Sequence, residues 1–485
     1  MNFLQLNDNQ LIKQANLIDG QWLTSNNSIT VYNPATTQAL GEIPLIDEQN
    51  VENTIHAALK SFNSYSKSTS YEKSLWLLKW YDLVLAHADD LAKILTQEQG
   101  KPLAEAKAEI QYAASFIQWF AEQIKSDHGL TLAEPVAGKS FATHKHPVGV
   151  AALITPWNFP AAMITRKAAA ALAAGCTIII KPSELTPFTA IALVELAQRA
   201  GFPDGAINLI TGDAAMIGDK LCQDVRVKKL SFTGSTRVGQ QLFQQSANNI
   251  KRLSLELGGN APFIIFDDAN LDQAISALIQ SKFRNNGQTC VAANRIYVDI
   301  KLKQQLVPML IERLKQLTCG NGLTEDVDLG PMINSSAVSK VATLVTDALA
   351  KGAQCVYQAD IKHLGPHYYP ATLLTEVNMQ MAIANSEIFG PVLAIQWFSH
   401  EAEVISLANN TDAGLAAYFF SDNIHRCQRV ANALDFGMVG INSGMVSHAI
   451  SPFGGIKYSG IGREGGHTGL AEYQYIKAHC FGHLS

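Results

Sequence analysis

At 485 residues the chain has length for about three domains' worth of fold and a large core. It is 47% hydrophobic and 16% charged, as soluble globular proteins are, and a net charge of -5 without a long basic run points away from nucleic acid and anionic membranes. Its seven cysteines are scattered and never in C-x-x-C spacing, which argues against a disulfide framework or a structural metal site and fits a reducing cytoplasm.

Met1 to Gln10 has no cationic segment before an apolar run, so it does not read as a targeting peptide. From Val51 to about Glu122 apolar residues recur at three and four, predicting outer helices. A polar stretch, Ser126 to His146, separates them from alternating elements. Strand 149–154 leads to helix 161–174, and strand 177–181 to helix 187–200, with Thr186 as cap, Pro187 at its first position and Gly201 after it. Strands 206–210 and 229–233 continue the series. Such alternation implies a parallel, doubly wound sheet whose ligand site lies beyond the strands' carboxyl ends. A second set runs from Pro262 to about Asn442, through helix 271–283 and strand 295–298. Two uncharged stretches, 148–165 and 436–456, carry internal prolines and make poor membrane spans.

Three short segments carry chemistry. In Thr155-Pro156-Trp157-Asn158-Phe159-Pro160 two prolines fix an irregular turn that presents the Asn158 amide, a donor suited to an oxyanion. In Leu255-Glu256-Leu257-Gly258-Gly259-Asn260 a strand-like alternation holds one carboxylate against a flexible step, where a general base would sit. The run Phe283 to Cys290 ends in Gly287-Gln288-Thr289-Cys290; a lone cysteine is more often a small buried hydrophobe, and a nucleophile needs a base or dipole to ionise it. A fourth segment, Ser231 to Gly239, is a strand, a glycine turn and a helix start around Gly234 and Ser235. It offers N–H groups to a diphosphate without matching G-x-G-x-x-G.

Together these segments and Glu387-Ile388-Phe389-Gly390-Pro391, in this order and over nearly the whole chain, resemble the aldehyde dehydrogenase superfamily. The resemblance implies two doubly wound α/β domains plus a small β oligomerisation arm: residues 1–125 and 147–255 bind the dinucleotide, 256–445 carry the nucleophile, and 126–146 with 463–485 form the arm of a homodimer or homotetramer. It implies an NAD site, NADP being the alternative, made by Thr155, Pro156, Trp157, Asn158, Lys181, Pro182, Ser183, Glu184, Gly234, Ser235, Leu257, Glu387 and Phe389. Lys181 and Glu184 would bond the adenine ribose, and a Glu184 carboxylate would repel a 2′-phosphate. Glu387 would hold the nicotinamide ribose.

The implied reaction uses Cys290 to add to an aldehyde, Asn158 to steady the oxyanion, and Glu256 to activate the water that hydrolyses the thioester. Arg166, Arg284 and Ser447 resemble the distal-carboxylate site of succinate-semialdehyde dehydrogenases, since a guanidinium suits a carboxylate. A glutarate-semialdehyde or broader aldehyde dehydrogenase is the alternative, because one methylene discriminates weakly. Ala292 stands where some members carry a second cysteine, so a disulfide switch is not expected.

Overall fold

The computed structural model describes residues 6–482; residues 1–5 and 483–485, the outer ends of the first predicted domain and of the arm, lie outside the described residues. Two sheets dominate. The first has eight strands in the order Gln21–Leu23, Asn16–Ile18, Ile207–Leu209, Ile178–Lys181, Val150–Ile154, Val227–Thr233, Arg252–Glu256, Gly460–Ile461. Its five central strands are parallel, and antiparallel strands close both edges. Connections leave Val150–Ile154 toward Ile178–Lys181 on one side, while Val227–Thr233 lies on the other. That reversal puts a crevice beyond Ile154 and Thr233, where open α/β sheets bind ligands.

The second sheet has seven strands in the order Gln354–Gln358, Thr372–Thr375, Val392–Phe398, Ala293–Asp299, Ala261–Ile265, Ala416–Phe420, Met438–Ile441, parallel except for the first. Both sheets are buried on two faces, and their central strands read as near-continuous apolar runs for that reason. No helix among the described residues is long and apolar enough to cross a membrane.

The predicted helices 187–200 and 271–283 form at those bounds. Thr186 is the N-cap of the first, but its side chain makes no capping bond. The Glu98 carboxylate caps the helix instead, accepting from the N–H groups of Phe188 and Thr189 at 2.7 and 2.8 Å. The 51–122 region forms four helices, of which Leu103–Gln123 is not peripheral. Its Phe116, Ile117 and Phe120 are fully buried and it packs along Ala162–Ala174, whose small side chains permit close approach.

Of the segments expected to form an arm, Thr131–Val136, Lys139–Pro147 and Gln474–Gly482 make a three-stranded antiparallel sheet. The residues between 463 and 473 lie elsewhere. Gly466–Ala471 is a short helix packed on Ala162–Ala174, and Glu464 is buried against Arg166 and Lys167 of that longer helix.

Candidate active site

Cys290 sits between a tight turn, Arg284–Gly287, and the strand Ala293–Asp299. Asn285 and Asn286 take φ of 51° and 56°, a left-handed conformation that asparagine tolerates better than most residues. The loop is pinned from several directions. Gln288 accepts from Ile333 N–H at 2.9 Å, Tyr418 donates to the Val291 carbonyl at 2.8 Å, and a Cβ on Gly259 would come within 2.2 Å of the Cys290 carbonyl oxygen. Gly259 therefore has to be glycine for the segment after Glu256 to touch the Cys290 loop. Cys290 is half-buried. Burial, and next the Glu387 charge, push its thiol up to about 12, so it rests protonated and needs a base.

Asn158 is buried beside this loop, its amide Nδ2 donating to the Gln288 carbonyl at 3.0 Å while its Oδ1 has no hydrogen-bond partner among the described residues. Its backbone carbonyl is held twice, by Asn285 Nδ2 at 2.9 Å and by Lys101 Nζ at 2.8 Å. Lys101 belongs to a buried pair with Glu109 at 2.6 Å, and Glu109 also accepts from Ala161 and Ala162 N–H, at 2.9 and 3.2 Å. One turn earlier on that helix, Glu105 accepts from Asn285 N–H at 2.8 Å. A ridge of charges on the helix Leu103–Gln123 and the residues leading into it thus fixes both the amide turn and the nucleophile turn. None of these residues stood out in the sequence, where they occupy an ordinary amphipathic helix.

Glu256 ends the strand Arg252–Glu256, is 2% exposed, and neither oxygen has a hydrogen-bond partner among the described residues. Burial foremost, then the like charge of Glu464, raises its pKa well above the ordinary carboxylate value. Glu464 behaves oppositely: burial disfavours its charge, but Lys167 and Arg166 overcome that and hold it low. Lys167 Nζ and Arg166 Nε both bond this carboxylate.

The predicted substrate residues separate. Arg284 and Ser447 line one cavity of about 400 Å³ with Phe159, Tyr112, Glu105 and Met445. The Arg284 guanidinium lies over the Phe159 ring at 4.7 Å. Arg166 is 2% exposed, held by Glu464 and stacked on Phe453 at 4.1 Å, and is not among the residues lining that cavity.

The predicted cofactor residues gather along the crevice. Lys181 pairs with Glu184 at 3.1 Å, and although burial alone would raise Glu184, the Lys181 charge lowers it. Ser235 caps the helix Thr236–Ser246, placing Gly234 and Ser235 at a positive helix end. Trp157 meets Phe389 edge-on at 5.7 Å. Asn294 bonds the Ser386 carbonyl and Ile388 N–H, bracketing Glu387, whose carboxylate accepts from Gly259 N–H at 3.2 Å. Burial raises Glu387 to about 7 despite that bond. A Cβ on Gly258 would stand 3.3 Å from both Glu387 Oε2 and Thr236 Oγ1, and the buried hydroxyls of Thr155 and Thr233 have no hydrogen-bond partners among the described residues. Thr236 and Glu387 share a polar cavity of about 630 Å³. Open space, unpaired hydroxyls and a helix end along one crevice fit a dinucleotide. Among the described residues no group of His, Cys, Asp and Glu is arranged to hold a metal ion.

The chain is 48% identical to succinate-semialdehyde dehydrogenase [NADP(+)] GabD of Escherichia coli (strain K12), over 99% of this chain and 100% of that protein. It is 48% identical to a glutarate-semialdehyde dehydrogenase of Pseudomonas putida, covering 98% and 99% of the two chains. A solved succinate-semialdehyde dehydrogenase from Burkholderia pseudomallei superposes with a TM-score of 0.97 at 47% identity, over 99% of this chain and 100% of the other. A profile of the aldehyde dehydrogenase family matches residues 22–479, and the chain belongs to that family.

Proposed function

We propose that this protein oxidises succinate semialdehyde to succinate, with NAD preferred and NADP as the alternative. The observation that carries the substrate is the Arg284 guanidinium, which has neither an ion-pair nor a hydrogen-bond partner among the described residues and lines one cavity with Ser447. A cation left unpaired at a cavity wall suits a substrate bearing a carboxylate distal to its aldehyde. Glutarate semialdehyde is the second reading. One methylene discriminates weakly, and the relatives at 48% identity include enzymes named for each substrate.

Cys290 Sγ attacks the aldehyde carbon, losing its proton to a buried base. Glu256, whose ionised form is disfavoured by burial, is a stronger base than an exposed carboxylate and takes that role. The carbonyl oxygen becomes an oxyanion, accepting from Asn158 Nδ2 and the Cys290 N–H, each such donor contributing roughly 3–4 kcal/mol. A bound dinucleotide supplies the hydride acceptor. Glu256 first passes the Cys290 proton out to solvent; its carboxylate then draws a proton from water, whose oxygen attacks the Cys290 thioester, and the C–S bond breaks to free the acid and the Cys290 thiolate. Lys181, Glu184, Ser235 and Glu387 hold the dinucleotide, with Glu184 facing any 2′-phosphate.

Leu132, Val136, Ile476 and Phe481 stay exposed on the arm sheet, which supports a homodimer or a homotetramer of two such dimers. The free cysteines fit a cytoplasmic setting. The test is a kinetic comparison of succinate semialdehyde, glutarate semialdehyde and butanal, each with NAD and NADP. A preference for butanal would overturn the substrate, and light scattering that finds only monomer at micromolar protein would overturn the assembly.

A further inference from the structure

Tyr112 lies on the helix Leu103–Gln123, outside every sequence motif, and lines the cavity that Arg284 and Ser447 share. Its ring is fixed edge-on against Phe116, 4.8 Å between centroids, and Phe116 in turn lies 5.9 Å from the Arg166 guanidinium. Its hydroxyl is buried and has no hydrogen-bond partner among the described residues. Neighbouring acceptors are committed elsewhere: Glu109 to Lys101 and two N–H groups, Glu105 to Asn285 N–H. A buried hydroxyl left without a partner is costly, and on a residue that lines a cavity it points to a ligand that completes it.

We propose that the Tyr112 hydroxyl donates to the distal carboxylate of the substrate, making Tyr112 a specificity-determining residue beside Arg284 and Ser447. The inference rests on the semialdehyde reading above. A carboxylate there meets a planar guanidinium and two hydroxyls, enough donors to occupy both oxygens.

Tyr112→Phe keeps the ring and removes only the hydroxyl, so folding should be preserved, which an unchanged melting temperature checks. With succinate semialdehyde, kcat/KM should fall roughly 10- to 150-fold, mainly through KM, while butanal turnover and the KM for NAD stay unchanged. Inhibition by the product succinate should weaken in parallel. No loss with succinate semialdehyde, or equal losses with both aldehydes, overturns the proposal. If Arg284→Ala is selective for the semialdehyde and Tyr112→Phe is not, this inference alone fails. If the wild-type protein shows no preference over butanal and Arg284→Ala changes nothing, the substrate reading fails with it.

Discussion

Lys101 Nζ donates to the Asn158 backbone carbonyl at 2.8 Å from within its buried ion pair with Glu109. The turn that presents the Asn158 amide, the proposed oxyanion donor, is therefore held by a buried charge. Lys101→Met should cost about 3–5 kcal/mol, because Glu109 is left as an uncompensated buried charge. Lys101→Met with Glu109→Gln should recover much of that stability, since the glutamine oxygen can still accept from Ala161 and Ala162 N–H. kcat should stay low in both variants. Denaturant melts and steady-state kinetics read the two effects separately, and recovery of kcat in the double variant would contradict the positioning role.

Cys290→Ala should abolish dehydrogenase activity without unfolding the protein, as the side chain is half-buried and contributes little core. Glu256→Gln tests the base. Because Glu256 takes the Cys290 proton before it activates water, Glu256→Gln should lose the burst of NADH in stopped-flow absorbance as well as the steady state. A surviving burst followed by a slow steady state would confine Glu256 to hydrolysis.

The two arginines should differ. Arg284→Ala is expected to cost 10- to 150-fold, or roughly 1.5–3 kcal/mol, in kcat/KM for succinate semialdehyde and little for butanal. Arg166→Ala also removes a partner of Glu464 and leaves Lys167 alone to neutralise it, so a fall in melting temperature should accompany any kinetic loss.

Cofactor affinity should depend on pH through Glu387, raised by burial to about 7. The ionised carboxylate is the better acceptor for a ribose hydroxyl, so NAD binding should tighten as pH rises through about 7. Stability runs the other way. The folded value lies above the ordinary 4.5, so the folded state holds the extra proton and loses stability as pH rises between those values. Glu387→Gln should flatten both profiles, followed by fluorescence titration of NAD and by melts from about pH 5 to 8.

Glu184→Ser should raise the use of NADP relative to NAD, since it removes the carboxylate that would oppose a 2′-phosphate. An unchanged ratio of kcat/KM values would mean that Glu184 points away from the ribose.

Local pattern alone carries the alternation of strands and helices, the rigid turn around Asn158, the strand-end placement of Glu256 and the loop of Cys290. Each is encoded within about ten residues by period, proline and glycine, so each is readable without the fold. Partners are another matter. Arg166 meets Glu464 across 298 residues, Asn285 meets Glu105 across 180, and Phe188 meets Glu98 across 90. No local pattern marks such pairs. A charge becomes catalytic, structural or substrate-binding according to the water removed around it and the opposite charge brought near it, and only the packed fold decides both. For that reason Arg166 and Arg284, alike in sequence beside their motifs, end in different roles: one is neutralised in the core, and the other is open to the cavity.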